Sequence, residues 1–326
     1  MSRFISCIKN WILPISMLLG VVSYLLCDAL PLTIETRHLM TETVAVVQPV
    51  LIFAMLFLTF CKIKFGELHF CHWHIGLLLI QSISFIVGAI LCTHIQSFEW
   101  KLFVESFIIC MICPTATAAA VVTSKLGGNP ATLTTYTILI NLVTALVLPA
   151  FVPMIHPSAE HTFLLSFLTI IIKVFPLLFG PFLLAMILRR FNHNLTDSLA
   201  KYHNLAFYLW AVALALAIAV TTKTISHTHC PISFIIIIAC ASALSCAMQF
   251  ALGRHIGKKH GEPISATQSL GQKNTVFAIW AGFTFMTPIT SLAGGFYSIW
   301  HNVYNSWQLY RQRREEAHHH TPARDE

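Results

Sequence analysis

The chain has 326 residues, of which 56% are hydrophobic and only 10% charged, with a formal charge of +7. A soluble domain carries about 25% charged residues, so this chain has too little polar surface to face water all round. The positive charge does not indicate a nucleic-acid partner, because the basic residues fall between apolar runs and not on one basic stretch.

In chain order the apolar runs are Trp11–Leu30, Thr43–Cys61, His74–Cys92, Trp100–Ser124, Ala131–Val152, Phe163–Leu188, Asn204–Thr222, Pro231–Leu252, Pro263–Phe285 and Pro288–Gln308. Each is near the roughly 20 residues that span a bilayer as a helix. The fold class expected is an all-α polytopic membrane protein of ten spans. Trp11–Leu30 follows a basic start, yet it is long for a leader and no A-x-A-like site follows, so it reads as the first span. With the N-terminus inside, cytoplasmic segments hold Arg3, Lys9, Lys62, Lys64, Lys125, Arg189, Arg190, Lys201, Arg254, Lys258, Lys259, Arg311, Arg313, Arg314 and Arg324. Outer loops hold Arg37, Lys101 and Lys223. This positive-inside bias puts both termini in the cytoplasm. Residues 1–10 form a cytoplasmic N-terminus, 11–308 the transmembrane domain, and 309–326 a cytoplasmic tail, of which Arg311–Glu326, including His318–His320, is polar and expected to be disordered.

The first span reads Leu13-Pro14-Ile15-Ser16-Met17-Leu18-Leu19-Gly20 and the sixth contains Phe175-Pro176-Leu177-Leu178-Phe179-Gly180, at an offset of 162 residues. The fourth is interrupted at Cys113-Pro114-Thr115-Ala116-Thr117 and the ninth at Ser269-Leu270-Gly271-Gln272-Lys273-Asn274, at an offset of about 157. Five spans per half is odd, so the halves, about 11–152 and 163–308, insert in opposite senses. Inverted repeats with interrupted helices in matching positions point to a transporter's site.

Irregular backbone in hydrocarbon survives only inside protein or around a cavity. Pro114 ends a helix, and Thr115 or Thr117 is expected to cap the half-helix starting near Ala118. Gly271 permits an unwound turn, and Asn274 is a good cap for a half-helix Thr275–Phe285. Two half-helix N-termini then meet in mid-membrane, which favours an anionic ligand. Lys273 lies about nine residues, roughly 14 Å, into its span, where a charge costs about 2.5–3.5 kcal/mol. It needs a carboxylate, carbonyls, water or an anion. Glu105, eight residues before Cys113, is a partner to consider near the outer side, and Lys173 is a weaker buried-charge candidate.

Other chemistry finds less support. Cys110-Met111-Ile112-Cys113 has no second ligand pair beside it. His69, Cys71, His72 and His74, and His227, His229 and Cys230, fall together in loops. No metal site or cofactor is expected. The chain has no H-E-x-x-H motif, and its aspartates are Asp28, Asp197 and Asp325, so an enzyme is not expected.

The two interruptions resemble those of the bile acid:sodium symporter family, which carries a Cys-Pro motif in its fourth helix and Glu-x-Gly-x-Gln-Asn in its ninth. The resemblance covers about residues 10–308. It implies panel and core subdomains, crossing broken helices and alternating access in a bacterial inner membrane. It also implies a small organic anion as substrate. By this resemblance Thr117 and Asn274 match the family's substrate contacts, and Thr115 and Lys273 join them. The sodium ligands do not match. Ala119-Ala120 replace Ser-Asn, Leu133 replaces a serine (with Thr137 a nearby hydroxyl), and Ser269 replaces a glutamate. Lys273, beside Gln272, replaces a glutamine. Sodium is therefore not expected to bind. Lys273 would stand in for it, its charge neutralising half-helix carbonyls. Two alternatives remain: an efflux carrier of related fold, as for auxin or arsenite, and a non-transporting receptor or scaffold.

Overall fold

The computed structural model describes residues 2–63, 65–158, 160–202, 205–228 and 231–319. They form fourteen α-helices: α1 (Ser2–Ala29), α2 (Ile34–Cys61), α3 (His72–His94), α4 (Phe98–Ile112), α5 (Ala119–Lys125), α6 (Pro130–Ile155) and α7 (Phe163–Leu178) in the first part. The second part holds α8 (Gly180–Phe191), α9 (His193–Lys201), α10 (Leu205–Thr228), α11 (Ile232–Lys259), α12 (Pro263–Gly271), α13 (Thr275–Phe285) and α14 (Leu292–His319). Lys64, His229, Cys230 and Arg324, which entered the sequence argument, lie outside the described residues.

Five helices (α2, α3, α6, α10 and α11) are each long and apolar enough to cross a membrane. α7 and α8 make a sixth span if taken together across their 42° bend. The bend falls at Phe179, three residues beyond Pro176, where Gly180 and Pro181 start a new helix. Pro14, by contrast, sits inside an unbroken α1.

Local sequence starts many of these helices. Ser97, Asn129, Thr162 and Asn192 each accept a hydrogen bond from a backbone N–H of the first turn, satisfying donors that a helix start leaves free. Two expectations need correction. The last helix begins at Leu292, not Pro288, because Thr287 to Ser291 form a turn in which the Thr287 hydroxyl accepts from Thr290 N. The polar tail expected to be disordered is helical as far as His319.

The helices sort by what they bury. α1, α2, α7, α8 and α10 pack on one another and bury mainly apolar side chains. α3, α4, α5, α6, α11, α12, α13 and α14 pack together and enclose Gln81, Glu105, Asn141, Gln249, Gln268, Lys273 and Asn274. A polar interior in a chain with so little polar material is where function is expected. α4–α5 and α12–α13, the two interrupted pairs, lie in this second group.

Candidate functional site

Pro114 cannot donate to the helix behind it, and α4 stops at Ile112 with Cys113 as its cap. α12 stops at Gly271, and α13 starts after Asn274, whose side chain accepts from Phe277 N. The two gaps cross as a short antiparallel bridge between Thr115 and Lys273. Ala116 N donates to Gln272 O (2.9 Å) and Asn274 N donates to Pro114 O (2.8 Å).

Capping at the first gap differs from expectation. Ala118 precedes α5 and offers no side-chain bond. Thr115 turns the other way, its hydroxyl donating to Ser269 O at 2.7 Å. Thr115 therefore fastens one gap to the other and does not cap α5. Gly271 also serves differently. Its φ is not in the left-handed region, but a Cβ there would stand 2.4 Å from the Phe250 ring. Glycine is required for close approach, not for an unwound turn.

The carbonyls at the gaps are satisfied by neutral donors. Gln81 Nε2 donates to Met111 O (2.7 Å) and Cys113 O (3.3 Å), while Tyr136 OH donates to Gln81 Oε1. Thr144 Oγ1 donates to Ile112 O (2.9 Å), and Gln249 Nε2 to Cys110 O (3.2 Å). Tyr297 OH donates to Gly271 O (2.8 Å) and accepts from Gln249 Nε2 (3.1 Å). Cys113 Sγ donates to Asn274 O (2.9 Å).

This leaves Lys273 in a position the sequence did not suggest. It is 1% exposed, and its Nζ has no hydrogen-bond partner. It does not neutralise the gap carbonyls through hydrogen bonds, because those carbonyls have other donors. Nor is Glu105 its partner: that carboxylate lies 3.1 Å from His156 Nε2 and accepts from Thr290 Oγ1 at 2.9 Å. Lys173 lies on the exposed face of α7 and takes no part. The thiols of Cys110, Cys113 and Cys246 are within electrostatic reach of the ammonium. Ser269 Oγ, Gln272 Oε1 and Asn274 Nδ2 are also buried without partners. Thr137 donates to its own helix at Leu133 O (3.0 Å).

A cavity of about 760 Å³ opens from the crossing. Ala116, Thr117, Gln272, Lys273, Asn274, His301, Asn302 and Asn305 line its polar part. Met55, Leu68, Phe207 and Trp210 supply an apolar wall, and Lys62, Glu67 and Lys125 stand among its lining at the helix ends. His301 Nδ1 accepts from Lys273 N at 3.4 Å, an arrangement that leaves the proton of a neutral ring on Nε2. Among the described residues, no three histidine, cysteine or acidic side chains are placed to hold a metal ion. Of the histidines expected in loops, His72 and His74 lie in the first turn of α3 and His227 in the last turn of α10; His74 Nδ1 accepts from Cys71 N.

Gln81, Tyr136, Gln249, Tyr297 and His301 are site residues that the motifs in the sequence do not mark. A signal was present, since Gln81 and Gln249 are isolated amides inside apolar runs, and such residues are expensive unless they have a partner.

Apolar helices long enough to cross a bilayer, and two helices interrupted where they cross around a buried cation, define a multi-pass membrane protein of transporter type. The chain belongs to the SBF-like CPA transporter family (DUF4137), whose pattern matches residues 14–295, most of its length. No curated protein matches it.

Proposed function

We propose that this chain is a secondary transporter that carries a small organic anion across a bacterial inner membrane by alternating access, without sodium. The observation that carries the reading is Lys273: a buried ammonium with no protein partner, lining a cavity beside the free amide donor of Asn274. A buried charge demands compensation, and a ligand anion supplies it. The cavity suits a molecule with an apolar body and one acidic head, as in ligand sites with a mostly apolar wall and a few convergent polar groups.

Ten spans follow when α4–α5, α7–α8 and α12–α13 are each taken as one and α9 as a connector. The inverted repeat is supported at the crossing. The bridge pairs Thr115 with Lys273, 158 residues on, close to the 162 residues between Pro14 and Pro176. Packing partners exchange as well: α1 on α10 matches α8 on α2, and α3 on α6 matches α11 on α14. The group holding α1, α2, α7, α8 and α10 is then the panel, and the group with the polar interior the core. With both termini cytoplasmic, the cavity mouth near Lys125 faces the cytoplasm. A cysteine replacing Lys125 is expected to react with an impermeant thiol reagent only in inside-out vesicles. Reaction in right-side-out vesicles would reverse the orientation.

Sodium independence rests on the donors at the crossing. Ala119 and Ala120 offer methyls, the Thr137 hydroxyl is held by its own helix, and the buried carboxylate of Glu105 is engaged with His156 and Thr290. A hard cation wants oxygen ligands, and an ammonium at Lys273 repels it. The metalloid-efflux reading loses ground because Cys113 Sγ is directed at Asn274 O and Cys110 Sγ at Ala293 O, 3.6 Å away.

The test is uptake of labelled taurocholate, pantothenate and a short keto acid by vesicles containing the purified protein. Saturable uptake of one of them is expected; uptake of none would favour the receptor or scaffold reading. Thr117→Val and Asn274→Ala should each weaken binding of the transported anion by about 0.5–1.5 kcal/mol, or roughly 2- to 12-fold. If titration calorimetry finds both variants equal to wild type, the acidic head binds elsewhere.

A further inference from the structure

Two carboxylates outside the cavity's polar floor stand in matching places. Glu105, on α4, is the one carboxylate classed as buried among the described residues. Its Oε2 accepts from Thr290 Oγ1 at 2.9 Å. Glu262, immediately before α12, accepts at Oε2 from Thr132 Oγ1 at 2.6 Å and at Oε1 from Cys71 Sγ at 3.6 Å. Thr132 and Thr290 are 158 residues apart, the separation of Thr115 and Lys273, and the two glutamates are 157 apart. Thr290 stands just before α14 and Thr132 in the first turn of α6. Each glutamate thus belongs to the half-helix that enters a gap and holds a threonine in the opposite half of the chain.

Ordinary helix capping does not account for both bonds. The Thr132 hydroxyl has one proton, and its nearer acceptor is Glu262 Oε2 at 2.6 Å and not the local Asn129 O at 3.1 Å, while Thr290 is also bonded to Thr287. The glutamates add the long-range partners. Both act well back from the gaps: Glu105 is the middle residue of α4, about 10 Å of helix before its end, and Glu262 directly precedes α12. A half-helix held there cannot slide or turn without breaking the bond, so the gap it enters stays in place.

We propose that Glu105 and Glu262 are a pair of positioning residues, two clasps related by the internal two-fold that fix the middle of α4 and the start of α12 to the opposite repeat and so hold the Thr115–Lys273 crossing in register. The inference rests on the repeat reading above but needs no substrate. Chemistry differs between the clasps: His156 faces Glu105, whereas Cys71 faces Glu262. Cys71 lies outside the spans, and burial, followed by the neighbouring Glu262 carboxylate, pushes its thiol up.

The experiment places a cysteine at Ala116, in the crossing and lining the cavity, and follows its modification by N-ethylmaleimide in vesicles by peptide mass spectrometry. Thr290→Val and Thr132→Val should each change the rate at position 116 by about fivefold, the effect of one lost hydrogen bond. Thr290→Ser and Thr132→Ser, which keep the hydroxyl, should restore it. An unchanged rate at 116 overturns the proposal even if thermal stability falls, because the clasps would then be local packing only. Serine behaving like valine overturns it too. If one valine variant moves the rate and the other does not, the paired, two-fold form of the proposal fails while the uptake test above is unaffected. In case a valine variant does not fold, native Cys71 gives a second reading of the Glu262 clasp. Glu262→Gln should speed its alkylation at about pH 8 several-fold, since a neighbouring anion raises a thiol's pKa. No change would remove Glu262 from that clasp.

Discussion

Lys273→Met is expected to abolish saturable anion uptake and to leave thermal stability unchanged or higher. The two effects separate because the ammonium has no hydrogen-bond partner in the protein. Removing it strands no carbonyl: those at residues 110–114 and at 269, 271 and 272 are held by Gln81, Thr144, Gln249, Thr115, Tyr297 and backbone N–H groups. Replacing an uncompensated buried charge with an apolar side chain of similar length is neutral or favourable for folding. The ligand's acid, however, loses a charge-assisted contact worth about 1.5–3 kcal/mol, or roughly 10- to 150-fold in affinity. Thermal melts in detergent and equilibrium binding of the transported anion measure the two effects. A large fall in melting temperature with binding retained would show that the charge is structural.

Gln81→Leu should do the opposite, costing stability first. Its amide serves two carbonyls at the end of α4 and receives the Tyr136 hydroxyl. Leucine fills similar space but leaves three polar groups buried without partners, at a cost of roughly 2–5 kcal/mol. Gln249→Leu should behave alike, because Gln249 donates to Cys110 O of α4 and to the Tyr297 hydroxyl, which in turn holds Gly271 O at the second gap. Chemical denaturation monitored by intrinsic fluorescence is the measurement. A loss below about 0.5 kcal/mol for both variants would mean that the gaps are held by something other than these amides.

Much of the helical plan was legible because hydrocarbon imposes it: apolar runs near the spanning length, prolines, and a change of composition at each gap. Asn274 could be placed as the cap of Thr275–Phe285 from local chemistry alone, and α13 has those bounds. What could not be read is long-range pairing. Nothing near Thr115 in sequence shows that its hydroxyl goes to Ser269 O, 154 residues away. Glu105 and Lys273 are both charged and both near a gap, but distance along the chain says nothing about which end of the bundle a side chain faces. α9, short and polar, gave no apolar run to find.

Restoring a sodium site would be the constructive counterpart of these losses. Lys273→Gln with Ser269→Glu returns an amide and a carboxylate to the crossing. Sodium binding should then appear as a stabilisation that grows as RT ln(1 + [Na⁺]/Kd). The most direct test needs only the native protein. Initial rates of anion uptake are measured with external sodium replaced stepwise by potassium or choline at constant ionic strength. Equal rates in all three salts are the predicted result, because the charge at the crossing is supplied by Lys273 itself. A rate that rises saturably with sodium and vanishes in choline would contradict the account.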